Sequence, residues 1–197
     1  MITLARFRLL EAALIKRGFG PSIEWTEALR PPENADAFAE AAIYVVCNSG
    51  MANTVAQAIF ERCMAALQDG GLASDVFGHP GKRAAIDCIW AERAELFAAY
   101  LEADDKLAQL QTLPFIGEIT ALHLAKNLGA NVAKPDVHLE RLARREGVSS
   151  QELCARLAAE TGYRAATIDT VLWRACALKV LRSQIYEAHG WDAAFEG

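Results

Sequence analysis

The stretch Leu113-Pro114-Phe115-Ile116-Gly117-Glu118-Ile119-Thr120-Ala121 decides how the chain reads. A helical pattern ends near Thr112, Pro114 and Gly117 shape a tight turn, and a second helix begins almost at once. The backbone N–H groups around Gly117 to Ile119 then lack intrahelical partners and point outward. Such a helix start binds a phosphate without needing a positive side chain. The same residues also describe an ordinary αα-hairpin, the common outcome of such a connection.

Helical spacing continues outward in both directions. From Ala37 to Leu67, Phe38, Ala41, Ala42, Val45 and Val46 share a face. After Asn48-Ser49-Gly50 the pattern resumes with Val55, Ile59, Phe60, Cys63 and Leu67. Further helices are predicted over 83–101, 104–112, 119–128, 136–145, 150–161 and 166–189. Gly20-Pro21, Pro31-Pro32, Gly70-Gly71, His79-Pro80-Gly81, Gly129 and Gly147 punctuate them. Alanine and leucine dominate and β-branched runs are scarce, so the expectation is an all-α fold.

The 197 residues suit one compact domain or two small packed ones, and 53% hydrophobic residues supply a core. No apolar run approaches the ~20 residues needed to span a bilayer, so no membrane is expected. The opening Met-Ile-Thr-Leu-Ala-Arg-Phe-Arg lacks a signal-peptide pattern, and the expected location is cytoplasmic. With 20 basic against 25 acidic residues the net charge is −5, so nucleic-acid binding needs a local basic face. Such faces are Lys134, Arg141, Arg144 and Arg145, and a smaller spot at Lys82 and Arg83. The alternative is a solvated helix face, the usual reading of a charge run taken alone. Cys47, Cys63, Cys88, Cys154 and Cys176 are widely spaced with no C-x-x-C pair, which argues for buried thiols rather than a disulfide or metal framework.

A second informative segment is Lys134-Pro135-Asp136-Val137-His138-Leu139. Pro135 pushes Lys134 out of helical conformation and opens a new helix. Asp136 therefore falls at or beside the N-cap, where its carboxylate accepts backbone N–H bonds. Taken alone, that is a plain cap.

Together, Leu113-Pro114-x-Ile116-Gly117 with Thr120-Ala121, and Asp136-Val137-His138 seventeen residues after Ile119, resemble the helix-hairpin-helix base-excision DNA glycosylase superfamily. Asp-Val-His-Leu is most similar to its 8-oxoguanine branch. The resemblance is specific over 113–145. It implies two helical lobes with DNA gripped in a cleft between them: a helical barrel over 31–128, and a second lobe of 1–30 plus 129–197 that carries Asp136. It implies a monomeric enzyme acting on double-stranded DNA with a damaged base, best an oxidised purine.

Residue by residue, the resemblance makes Asp136 the catalytic carboxylate. A fixed anion stabilises the oxocarbenium character that develops as an N-glycosidic bond breaks, and it orients water. DNA contacts are implied at Pro114, Phe115, Gly117, Glu118, Ile119, Thr120, Lys134 and His138, with a monovalent cation at the hairpin carbonyls near Leu113 and Phe115. Bifunctional relatives carry a nucleophilic lysine where this chain has Ile119, so the expected enzyme is monofunctional and has no AP lyase activity. Lys126 and Lys134 are the alternative amines. Only Cys154 and Cys176 follow Asp136, so no iron–sulfur cluster and no other cofactor is expected.

Base flipping requires a gap-filling group and a pocket. Asn48, Ser49 or Met51 occupies the gap-filling junction, which is also readable as a polar loop. His123 matches a pocket position and equally a packed histidine. Trp90 and Trp173 are stacking candidates that also suit core, as does Trp25. The alternatives are a non-catalytic helix-hairpin-helix module that binds DNA structure, a glycosylase for alkylated or deaminated bases, and an α-helical enzyme acting on RNA.

Overall fold

The computed structural model describes residues 1–196. In chain order the helices are α1 (Leu4–Lys16), α2 (Gly20–Ala28), α3 (Ala35–Asn48), α4 (Asn53–Gln68), α5 (Pro80–Ala91), α6 (Arg93–Glu102) and α7 (Lys106–Gln111). They continue with α8 (Glu118–Asn127), α9 (Val137–Glu146), α10 (Ser150–Thr161), α11 (Ala165–Ala177), α12 (Ser183–His189) and α13 (Trp191–Ala194). The fold is all-α. Among the described residues the only extended pairing is an isolated bridge between Leu181 and Phe195.

The chain forms two compact units, one of residues 30–129 and one of residues 1–29 with those from 130 onward. In the unit of 30–129, α3 is the central helix. Phe38, Ala39, Ala42, Ile43, Val45, Val46 and Cys47 are buried along it, and it packs on α4, α5, α6 and α8. The chain enters and leaves this unit in contact with itself. A Cβ on Gly129, at φ +85°, would lie 2.6 Å from the Arg30 carbonyl carbon, so glycine is required there.

In the other unit α11 is the core helix, and every residue from Ala165 to Leu172 is buried. It packs against α1, α2, α9 and α10. Replacing a fully buried residue such as Leu172 with alanine would cost about 2–5 kcal/mol. The first residues are tied in by Glu146 at the end of α9. Its Oε1 accepts from Ile2 N at 2.5 Å and Tyr186 Oη at 2.7 Å, and its Oε2 accepts from Arg156 at 2.6 Å. Burial, then the Glu146 carboxylate, pushes the Tyr186 phenol well above its ordinary pKa.

Two long helices expected from the pattern are each broken. The expected helix over 83–101 begins at Pro80 and stops at Ala91, and Glu92 separates α5 from α6. Arg93 closes the break, bonding the Trp90 carbonyl at 2.7 Å with its guanidinium 4.4 Å over the Trp90 ring. The helix expected over 166–189 ends at Ala177. Lys179 adopts φ +60°, Val180 and Leu181 turn into the core, and α12 starts at Ser183. No glycine or proline announces that turn, so the pattern ran straight through it.

Candidate nucleic-acid interface and catalytic carboxylate

After α7, Leu113 N bonds Leu110 O at 3.3 Å and Ile116 N bonds Leu113 O at 3.1 Å, closing the turn. Leu113 and Ile116 are 2% and 5% exposed and anchor it. Gly117 caps α8 through Thr120, whose Oγ1 accepts from Gly117 N at 2.7 Å and donates to Gly117 O at 3.0 Å. Ala121 N bonds Gly117 O at 2.8 Å. The N–H groups of Glu118, Ile119 and Thr120 have no hydrogen-bond partner among the described residues. Ile119 is exposed.

Gly117 itself has φ −99° and ψ −175°, ordinary extended backbone. An added Cβ would meet only Thr120 Oγ1 at 4.0 Å. Nothing inside the protein demands glycine here; what its missing side chain leaves open is the outer face of the helix start.

Phe115 is different. It holds φ +68°, a left-handed conformation that costs a non-glycine residue about 1–2 kcal/mol. Its ring meets the His79 ring edge-on at 5.8 Å and lies 5.9 Å from Lys82 Nζ. Lys82, expected with Arg83 to be a surface basic spot, is instead 3% exposed. Its ammonium donates to the carbonyls of Cys47 at 3.1 Å and Ser49 at 2.5 Å, capping the end of α3. Burial pulls the Lys82 pKa below the usual lysine value. Lys82 is therefore a buried strut under the 48–51 loop and not an available phosphate grip.

Of the gap-filling and pocket candidates, Asn48 and His123 are linked through Asn53 and Tyr44. Asn48 Nδ2 donates to Asn53 Oδ1 at 2.9 Å, and Tyr44 Oη donates to the same oxygen at 2.7 Å. The Tyr44 ring stands edge-on to His123 at 6.4 Å and to Phe60 at 5.5 Å. Met51 is half-buried and Ser49 contributes its carbonyl to Lys82. Trp90 lies apart from the cluster, under Arg93. Trp173 belongs to the other unit, packed against its core with the Arg174 guanidinium 4.7 Å over its ring. Trp25 is 57% exposed.

In that other unit Asp136 is the N-cap of α9, at φ −82° and ψ 173°. One oxygen, Oδ1, accepts from His138 N at 2.8 Å and Leu139 N at 3.0 Å. Its other oxygen makes no hydrogen bond to the described residues, and the side chain is half-buried. Behind it, burial and then the Asp136 charge push the Cys176 thiol up to about 12. The His138 ring meets Ser183 Oγ through Nδ1 at 2.8 Å, which fixes the imidazole against the start of α12.

Three side chains that sequence reasoning missed hold the segment leading to Asp136. Gln151 grips Ala133 twice, accepting its N–H at 3.0 Å and donating to its carbonyl at 2.6 Å. Asp169, 1% exposed on α11, accepts from Lys134 N at 2.9 Å. Asn131 accepts from Ala166 N at 3.3 Å, joining the same segment to the start of α11. An aspartate inside the apolar run Thr167-Ile168-Asp169-Thr170-Val171 was the available signal, since a buried carboxylate needs a defined donor.

The basic run on α9 is largely occupied. Arg144 bonds Glu187 at 2.8 Å, Arg141 lies 3.8 Å from the same carboxylate, and Arg145 reaches the carbonyls of Glu187 and Ala188. α12 thus supplies one carboxylate, Glu187, to these three arginines, and the Arg144 side chain remains 56% exposed. Among the described residues no three His, Cys, Asp or Glu side chains cluster as a metal site, and no helix is long and apolar enough to cross a membrane. Comparison with protein-family models, curated proteins and solved structures finds no match to this chain.

Proposed function

We propose that the protein is a DNA glycosylase that hydrolyses the N-glycosidic bond of a damaged base, with an oxidised purine as the favoured substrate. The observation that carries this reading is the wiring of Asp136. One oxygen is tied down by two backbone N–H groups while the other is left without a protein partner. A plain aspartate cap also leaves its second oxygen to water, so the catalytic reading adds to this wiring the resemblance of 113–145. A carboxylate held still with an open oxygen suits stabilisation of a developing positive charge on a sugar.

In the reaction the C1′–N bond breaks with its electron pair leaving on the base, and Asp136 stabilises the sugar cation. Water then adds at C1′, its proton passing to the carboxylate or the departing base. Ile119 offers no amine, so the attacking group is water and the product is an abasic site. The open N–H groups of Glu118, Ile119 and Thr120 are assigned to a backbone phosphate of double-stranded DNA.

The test is base release from a panel of duplexes, each carrying one oxidised, alkylated or deaminated base, read after alkali has cut abasic sites. Release from at least one lesion is expected, oxidised purine first. Tight duplex binding without release from any lesion would favour the non-catalytic DNA-structure-binding module instead.

A further inference from the structure

We propose that the Phe115 ring stacks on a base of the DNA strand held at the hairpin, an assignment that rests on the DNA-binding reading above. The turn sorts its apolar side chains in opposite directions. Leu113 and Ile116 are buried, while the Phe115 ring is 44% exposed and the largest apolar group the turn presents outward. Its backbone sits at φ +68°, where glycine or asparagine would be at ease, so a phenylalanine there is not explained by turn preference.

The ring is also braced. His79 meets it edge-on, and a Cβ on Gly81 would lie 3.2 Å from a ring carbon, so α5 approaches it closely. The Lys82 ammonium lies 5.9 Å from its centre and is itself pinned to two carbonyls. A braced, partly exposed aromatic loses little freedom when it stacks. The unpaired N–H groups that suit a phosphate begin three residues later, at Glu118. Phosphate and base of one strand are thereby offered adjacent contacts, and aromatic stacking accepts any base because every base has a π-face.

Asn48, the polar gap-filling candidate, has its amide engaged with Asn53. Phe115 is held by ring contacts and remains 44% exposed, which leaves aromatic surface for stacking.

The experiment uses the full chain and a duplex with a tetrahydrofuran abasic analogue opposite 2-aminopurine. Affinity is read by anisotropy and stacking by 2-aminopurine fluorescence. Phe115→Leu keeps an apolar side chain in the same turn; it should weaken binding about tenfold and abolish the fluorescence change. Phe115→Trp should restore both. Melting temperature, read in parallel, reports the structural role: a Leu variant that melts normally yet binds poorly supports stacking. Wild-type affinity in Phe115→Leu, or no recovery in Phe115→Trp, overturns the proposal. Should the Leu variant fail to fold, Phe115→Tyr against Phe115→Met gives the same contrast. Failure of the wild type to bind any duplex would instead sink the DNA-binding reading itself. Because the analogue has no base to release, the assay is independent of Asp136 chemistry.

Discussion

At the start of α8 the N–H groups of Glu118, Ile119 and Thr120 are left open, whereas at the start of α9 Asp136 turns its own carboxylate onto His138 and Leu139. Both helices carry the same partial positive charge at their first turn. At α8 the side chain that could have satisfied it is absent, because the N-cap is glycine and Thr120 serves only the Gly117 backbone. The α9 turn supplies its own anion and keeps one oxygen of it unengaged. The same local physics thus yields one turn suited to receive a negative charge and one suited to present it.

The largest expected effect comes from removing the presented anion. Asp136→Asn retains an oxygen that can cap α9, so the fold should persist, while single-turnover base release should fall about 10²-fold or more. Duplex affinity should hold or rise, since a negative charge near DNA is gone. A second break targets what holds that anion in place. Asp169→Ala removes the acceptor for Lys134 N, and stability should fall by about 1–3 kcal/mol in denaturant unfolding. Asp169→Asn keeps a carbonyl oxygen and should recover much of the loss.

The receiving turn predicts a smaller change of another kind. The Cβ of Gly117→Val would meet nothing closer than 4.0 Å inside the protein, while the side chain adds bulk to the helix start. Affinity for lesion and undamaged duplexes should drop about tenfold, the loss of one charge-assisted hydrogen bond of roughly 1.5 kcal/mol, with base release at saturating protein unchanged. Equal affinity for both duplexes before and after substitution would count against the phosphate role.

The start of α10 serves as the control, because it is satisfied from within. Ser149 Oγ accepts from Glu152 N at 3.2 Å and the Glu152 carboxylate accepts from Ser149 N at 2.8 Å. Ser149→Ala should cost about 1 kcal/mol of stability and leave DNA affinity untouched. The Ser149 backbone N–H, then its hydroxyl, holds the Glu152 carboxyl below its ordinary pKa. That contribution is present above the ordinary carboxylate range and is lost as pH falls through the lowered value. Ser149→Ala keeps the backbone donor and loses only the hydroxyl, so the melting gap to wild type should narrow on acidification by the hydroxyl's share alone.

How much of this the sequence disclosed depends on which interactions are local. Proline at 135 and aspartate at 136 announce a helix start within three residues, and the structure places the cap there. Gly147, in the left-handed conformation, marks the end of the same helix equally well. What stayed hidden was made by distant residues. Lys82 reads as a surface cation until Cys47 and Ser49, more than thirty residues away, bring their carbonyls to it. Arg141 and Arg144 read as unpaired cations until Glu187 is folded against them. The strain at Phe115 and Lys179 was equally silent, since neither residue type signals positive φ.

On the proposed function an anion and water, not a protein amine, do the chemistry. One gel tests it: wild-type protein with a duplex bearing a lesion it releases, run untreated, after alkali, and with borohydride. If Ile119 stands where the resemblance puts the lysine of bifunctional relatives, strand scission should appear only after alkali and borohydride should trap no protein–DNA adduct. Efficient trapping, or scission without alkali, would contradict the claim and point to Lys134 or Lys126 as the nucleophile.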